Sequence, residues 1–422
     1  MTTSASTDNP SPEGGEPRDA DLARHFNLYD TTLDADPWPT LRQLQSKCPV
    51  AFSQEAGGYW AITSYEGVRD VMAQPERFSS KWTAVPAPED PLTLIPLTLD
   101  PPEHTKYRQF FTPLFSPGRM RTFEPAAVEL ARTYAEAFVQ ADGGDFVEAF
   151  AVPFPGLMFL RSFGLPERDF DQLREWKEVF LRELVSDDEE LRTHAANEVL
   201  PRIIEYFSGL IAERRAMADP PDDILTPIVS MEVEGKPLTD DEIANVLILF
   251  MTAGLDTVTN TLALSFAILA ERPDLREQII SNPAIIPGAT EELLRYTSIV
   301  TSCRLAVADS VVAGVRIPAG DWVANFLPIA SRDPAVFEDP HTIDFSREHN
   351  RHLAFGTGPH RCLGSHLARL EIAAALKVVH EVMPEYSVRE GTTPGRHFGS
   401  IMGCRELLLT VGRRGGSNQD QG

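Results

Sequence analysis

The sequence predicts a mainly α-helical protein with a minor β region, and three observations carry that expectation. Apolar residues recur at helical spacing from Glu124 to about Arg215. A long apolar segment opens at Thr239-Asp240-Asp241-Glu242, where threonine and glutamate are spaced to satisfy each other's free amides. Branched or alternating apolar runs are short and confined to 311–326 and 407–411. The 422 residues are 42% hydrophobic and 24% charged, an ordinary globular makeup. At roughly 150 residues per domain that length suggests about two or three domains, but it equally allows one large domain with a core deep enough to enclose a small molecule. With 38 Lys+Arg against 62 Asp+Glu the net charge is −24, and no block of basic residues interrupts it. Nucleic acid and anionic membrane surfaces are therefore not expected as partners.

Residues 1–20 have neither a basic start nor an apolar run, and their Pro, Ser, Gly and acid content predicts a disordered leader. A single domain is expected over 21–414 and a flexible tail over 415–422. A strand is predicted over 59–63 and a helix over 65–74. Prolines at 86, 88, 91, 96, 101 and 102 forbid regular structure over 86–102, and Leu92, Leu94, Ile95 and Leu97 within it favour a lid packed over something. The segment capped by Thr239 is predicted as one helix to Glu271, roughly 48 Å long at 1.5 Å per residue. Its longest apolar run, 246–255, is too short to cross a bilayer, so a cytoplasmic chain is expected. Helices over 288–296 and 363–383, strands over 311–313, 315–317 and 322–326, and a closing strand over 407–411 complete the reading. Four cysteines without a C-x-x-C pair suit a reducing compartment.

The strongest chemical signal is Phe355-Gly356-Thr357-Gly358-Pro359-His360-Arg361-Cys362-Leu363-Gly364. The glycines allow amides to turn toward the sulfur, and the helix that follows favours an anion at its start. With His360 and Arg361 beside it, Cys362 is expected as a thiolate: a nucleophile, a redox thiol or a metal ligand. The plain alternative is a small buried cysteine beside a glycine turn. A zinc site recruiting His352, His360 and His366 does not follow a familiar tetrahedral spacing. In Ala253-Gly254-Leu255-Asp256-Thr257 an acid sits on an apolar helix, where it needs a partner or a task. Acid and hydroxyl side by side suggest proton delivery, Gly254 would let a flat ligand approach, and Thr257 can bend the helix by bonding a carbonyl one turn back. The alternative is an Asp paired with a distant Arg and a merely helical Thr. Glu292 and Arg295 share one helix face, and Arg347 is a candidate third member of a buried ionic cluster.

Together these segments resemble the cytochrome P450 family, whose motifs occur here in the family's order: an acid-alcohol pair in a long helix, Glu-x-x-Arg, an Arg before the cysteine loop, and Phe355-x-x-Gly358-x-His360-x-Cys362-x-Gly364. Within the family the chain is similar to the soluble bacterial, camphor-hydroxylating type, through Asp100-Pro101-Pro102-Glu103 and 343–347 among others. The resemblance implies the family fold, with haem b (iron protoporphyrin IX) buried between a long central helix and the cysteine loop. It implies Cys362 as axial iron ligand, Phe355 beside the haem, and His104, Arg108, Arg304 and His360 at its propionates. It makes Glu292, Arg295 and Arg347 a structural triad, and Asp256 and Thr257 the proton route to dioxygen. The implied activity is monooxygenation, with O2 and an apolar organic molecule as substrates. Positions matching the family's pocket are Leu92, Leu97, Leu249, Thr252, Ala253, Val300, Ser400 and Ile401. Leu92 replaces the tyrosine that binds a ketone in the camphor enzyme, so a small terpenoid or aromatic molecule is expected instead. Electrons are expected from an iron-sulfur ferredoxin with its reductase, docking on a basic patch of Lys106, Arg108, Arg361 and Arg369. A peroxide-using or non-oxidative haem-thiolate enzyme, or a haem sensor without turnover, are the alternatives.

Overall fold

The capping box forms as its spacing requires: Thr239 N–H donates to Glu242 Oε2 at 2.8 Å and Glu242 N–H to Thr239 Oγ1 at 3.3 Å. In this computed structural model, which describes residues 17–82, 84–85, 93–184 and 188–412, the cap starts a helix, Asp240–Gly254, that buries Ile243, Val246, Leu247, Ile248 and Met251. The predicted single rod to Glu271 is not what forms. Leu255 N–H closes the last turn on Met251 O, Asp256 leaves helical geometry at φ −125°, and a second helix runs over Thr257–Glu271. The cause is local. Thr257 Oγ1 donates to Ala253 O at 3.0 Å, taking the carbonyl that the Thr257 amide would use in an unbroken helix. By composition the whole span, Asp240–Glu271, is long and apolar enough to cross a membrane, contrary to the sequence reading, but its most apolar window is 72% buried inside the protein. That apolar surface serves the core.

Around this spine the two largest core clusters are built mainly from helices. One joins the Thr257–Glu271 helix through Leu262, Phe266 and Leu269 to Phe146, Phe150 and Phe154 and to the helices Glu124–Gln140 and Ser365–Val382. The other joins Leu247, Phe250, Met251 and Leu255 to Phe111, Phe115, Phe163 and Phe207. A five-stranded sheet flanks them, ordered Val50–Ser53, Tyr59–Ile62, Trp322–Phe326, Thr301–Ala306, Phe78–Ser79. Trp322–Phe326 pairs parallel with Tyr59–Ile62 and antiparallel with Thr301–Ala306. The region predicted as strands near 311–317 is a hairpin, Ser310–Val312 with Val315–Ile317, whose two-residue turn puts Ala313 and Gly314 at positive φ as such a turn demands. A helix, Pro17–Arg24, begins inside the segment expected to be irregular; the rest of that leader, the tail over 415–422 and positions 86–92 of the expected lid lie outside the described residues.

The segment leading to the cysteine loop is tied down by charge. Glu292, wholly buried in the helix Ile286–Tyr296, accepts from Arg295 Nε at 2.8 Å and Nη2 at 2.7 Å, and from Arg347 Nε at 3.1 Å. Asn350 Nδ2 and Asp344 N–H add 3.0 and 2.9 Å bonds to the same carboxylate. Arg295, also fully buried, directs its remaining donors to Pro340 O, Ser331 O and Thr342 O at 2.7–3.2 Å. A buried pair is costly to desolvate, and satisfying every donor is what makes it tolerable. Glu292→Ala leaves two guanidinium groups unpaired in the interior and should cost about 3–5 kcal/mol. Glu66→Ala, which breaks the exposed Glu66–Arg69 pair, should cost under about 1 kcal/mol, and urea unfolding of the two variants measures the contrast.

Candidate functional site

The cysteine loop is shaped by close approach. Gly356 and Gly358 have φ of 64° and 71°, and a Cβ on Gly358 would lie 2.3 Å from Met72 O at the end of the Tyr65–Ala73 helix. Gly356 N–H bonds Leu353 O at 2.7 Å, and Cys362 N–H bonds Phe355 O at 2.8 Å, so the loop folds back and carries Cys362 inward. The next helix begins at Ser365 rather than at the predicted 363, with Gly364 as its cap. Leu363 packs against the cluster holding Met251 and Leu255, which brings the loop to the central helix. Cys362 lies deep among protein atoms yet retains open surface, and Ala253, in the middle of the core helix, is exposed as well.

The expected depression of the thiol pKa does not occur from the neighbours alone. Burial is the largest effect and pushes it up; the Gly364 amide and the charges of Arg108, Arg361 and Arg369 pull it down without prevailing. A metal cation is the stronger means of holding a buried thiolate. His360 is not the positive neighbour expected either. Burial, with His104, Arg304 and Arg108 nearby, brings it down to about 3, and burial with Arg108 brings His104 down to about 4, so both rings are neutral at pH 7.

These two rings stack at 4.0 Å between centroids, and His104 Nδ1 and His360 Nε2 are buried with no hydrogen-bond partner. Arg304, buried in its strand, donates from Nη1 to Cys303 O at 2.7 Å and pairs with no acid among the described residues. The acid with most influence on it, Asp100, already accepts from Ser79 Oγ and Ser80 N–H. Arg108 Nη2 donates to Arg361 O. A buried guanidinium without a carboxylate and two imidazoles with idle nitrogens form a pocket that an anion would complete.

Asp256 and Thr257 sit at the helix break, where Asp256 pairs with a distant lysine rather than with the distant arginine of the plain alternative. Lys177 Nζ, on the Phe170–Leu184 helix and 6% exposed in its side chain, meets Asp256 Oδ1 at 3.0 Å. Asn260 Nδ2 donates to Asp256 O at 3.1 Å and lies 3.4 Å from Oδ2. Nothing in the local pattern marked Lys177, because the pairing crosses between helices far apart in sequence. Gly254 serves a different purpose from the flat ligand expected: a Cβ there would lie 2.9 Å from the Phe159 ring, so the glycine makes room for that phenylalanine.

Of the pocket positions, Leu92 lies outside the described residues. Leu249 is buried, and Leu97, Thr252, Val300, Ser400 and Ile401 keep partial surface. Val300 and Ile401 form an isolated antiparallel bridge, flanked by Thr301 N–H on Ser400 O and Met402 N–H on Ile299 O, both 2.8 Å, so the last three come from one place. Thr252 turns its hydroxyl back onto Ile248 O and Leu249 O, each at 3.0 Å, so its polar atom is spent on its own helix.

The basic patch is smaller than the sequence suggested. Lys106 pairs with Glu103 at 2.8 Å and Glu234 at 3.1 Å. Arg369 forks onto Glu291 at 2.6 and 2.9 Å and stacks over Phe355 at 4.5 Å, so it fixes the loop rather than offering free charge. Burial would raise Glu291, but bonds from His352 and Arg369 outweigh it and bring the carboxyl down to about 2. The clasp is therefore intact above the ordinary carboxylate range and is lost only as pH falls toward that value. Arg361 remains, exposed and outside any ion pair among the described residues. Glu291, directly before the recognised Glu292, was missed by sequence reasoning for want of any spacing to Arg369.

These features fit a haem: a cysteine with open surface on a glycine loop, buried imidazole nitrogens without partners and a buried arginine in no ion pair among the described residues for its carboxylates, and open surface at Ala253 on a helix followed by an acid and a hydroxyl. The comparisons agree. A family model described as Cytochrome P450 matches residues 180–389. The probable cytochrome P450 127A1 of Sinorhizobium fredii is 35% identical over 414 residues, covering 95% of this chain and 97% of that protein. The cytochrome P450 monooxygenase PikC of Streptomyces venezuelae is 32% identical over 365 residues, 84% of this chain and 85% of its own. The crystal structure of CYP101J2 superposes with a TM-score of 0.84 at 28% identity over 96% of this chain and 100% of that one. A mainly helical fold of this shape, with these relatives along nearly its whole length, makes the chain a member of the cytochrome P450 family, a haem b monooxygenase.

Proposed function

We propose that this enzyme inserts one atom of O2 into a small, largely apolar organic substrate, a terpenoid or aromatic molecule, with electrons from an iron-sulfur ferredoxin and its reductase. Haem supplies the oxygen activation, in which one oxygen atom enters a C–H bond and the other leaves as water while two electrons and two protons are consumed. The chain's part is to hold, orient, keep dry and deliver protons.

Cys362 is the residue for the iron, His104, Arg108, Arg304 and His360 are those for the propionates, and Phe355 braces the loop under Arg369. Asp256 and Thr257 hold and pass protons at the helix break. The single observation that carries this reading is Cys362 with open surface on its glycine loop, held by backbone bonds at 2.7–2.8 Å. The intact Asp256-Thr257 pair favours dioxygen over peroxide as oxidant, since peroxide brings its own protons. Leu249, Val300, Ile401 and Thr252, whose hydroxyl is bonded within its own helix, support an apolar substrate. Four free cysteines agree with a cytoplasmic setting.

Cys362→Ser should abolish the red-shifted Soret band of the reduced carbon monoxide complex while leaving soluble protein; an unchanged band refutes the ligand assignment. Among small terpenes and aromatics such as limonene, pinene and indole, at least one should shift the haem spectrum at micromolar concentration, and charged sugars should not. Arg361→Glu reverses the free charge of the cysteine side and should slow ferredoxin-supported turnover by about tenfold at low salt, less at high salt, with peroxide-supported turnover changed less than twofold. Equal losses in both assays would refute docking at this face.

A further inference from the structure

The short helix Tyr65–Ala73 is bonded to the chain just ahead of the cysteine loop and continues to the strand that carries Arg304. At its start Tyr65 N–H donates to Asp333 Oδ2 at 2.8 Å, and the Tyr65 hydroxyl donates to Arg351 O at 2.7 Å. Beyond its end the chain enters Phe78–Ser79, which pairs antiparallel with Thr301–Ala306, Phe78 opposite Ala306 and Ser79 opposite Leu305. One helix thus spans the two segments assigned to the iron and to a propionate.

Met72 lies where these segments meet. Its side chain is buried in the core cluster that holds Val68, Val71, Phe78 and Leu353. On one side its methyl fills the space beside Gly356, where a Cβ would come within 2.9 Å of Met72 Cε, and Gly358 passes against the Met72 carbonyl. On the other side the Ser302 hydroxyl donates to Met72 Sδ at 4.0 Å, the long end of a hydroxyl–thioether contact. Ser302 is itself held, since the fully buried Asn325 donates from Nδ2 to Ser302 O at 3.1 Å. Gly356 and Gly358 give the loop no side chains with which to pack at its two turns. The seat on this side comes from Met72, whose unbranched thioether suits a gap of irregular shape.

We propose that Met72 is a positioning residue for Cys362: its side chain seats the cysteine loop and fixes it relative to the Arg304 strand. Met72 touches no reacting atom in this role and acts through the loop. Truncating it opens a gap beside Gly356 that the loop has no side chain to fill, so the loop shifts and the sulfur leaves the iron more readily. The inference rests on the reading of Cys362 as the iron ligand.

The test uses the holoenzyme as its reduced carbon monoxide complex and follows the rate at which the red-shifted Soret band is lost in urea, each variant held at the same fraction of its own unfolding midpoint. Met72→Ala should lose the band about fivefold faster than the unaltered enzyme. Met72→Leu, which nearly conserves volume, should stay within about twofold of the unaltered rate. Ile211→Ala, a truncation of a fully buried residue in the other core cluster, should stay within about twofold as well, because matching the urea removes its effect on global stability. Equal rates in Met72→Ala and Ile211→Ala overturn the proposal, and so does a Met72→Leu rate as fast as that of Met72→Ala. Should Met72→Ala yield no soluble haem protein, Met72→Val takes its place and must exceed Ile211→Ala by about twofold or more. If Cys362→Ser keeps the red-shifted band, the ligand reading is itself wrong. If Cys362→Ser loses the band and Met72→Ala matches Ile211→Ala, the ligand reading stands and the seat alone is wrong.

Discussion

A sulfur that must be charged, placed where charge is expensive, is the constraint around which this molecule is arranged. Burial pushes Cys362 toward its neutral thiol, and one backbone amide with three arginines does not reverse that. The protein answers with geometry rather than with more charge. The Gly356 and Gly358 turns let the loop pass against Met72, the Cys362 amide is taken by Phe355 O, and Arg369 locks Phe355 beneath Glu291. The thiol is thus held in place, and in the proposed role a bound haem iron would supply the remaining stabilisation.

The arrangement explains why a chain of net charge −24 is free of acid where it matters. Glu291 is consumed by Arg369 and His352, Glu292 by Arg295 and Arg347, and Asp100 by two serines. Arg304 is in no ion pair among the described residues, and the adjoining rings of His104 and His360 each leave a buried nitrogen without a partner. The Glu292 cluster has a second use. It ties the Ile286–Tyr296 helix to 340–350, and so fixes the chain that runs directly into the cysteine loop.

The central helix is broken for a related reason. An acid in an apolar helix is tolerable only if it leaves the helical ladder and finds partners, and Thr257 brings this about by capturing Ala253 O. Asp256 then reaches Lys177 and Asn260 from two different directions. Polar groups, a backbone interruption and open surface at Ala253 are concentrated in one turn of an otherwise apolar rod.

Much of this was legible in the residues. The capping box, the strand and hairpin runs, the Glu292-Arg295 pair and the cysteine loop are all local patterns, in which neighbours a few positions apart meet through the backbone geometry itself. What stayed hidden depends on contacts between distant segments. Lys177 on Asp256, Glu291 on Arg369 and Phe159 under Gly254 carry no spacing signal, because each partner sits at a distance that only packing sets. The helix break is different, since its cause is local. The Thr257 hydroxyl that could bend the helix was visible in the sequence, but apolar periodicity carried the predicted helix past it, and the extent of the break is set by the Thr257 bond to Ala253 O. The amino-acid order by itself determined the family and the fold class and singled out the cysteine loop, since those signals lie in short contiguous motifs. Tertiary structure alone decided which charges are taken up in ion pairs and which side chains are buried, since burial and long-range pairing exist only once the chain has closed on itself.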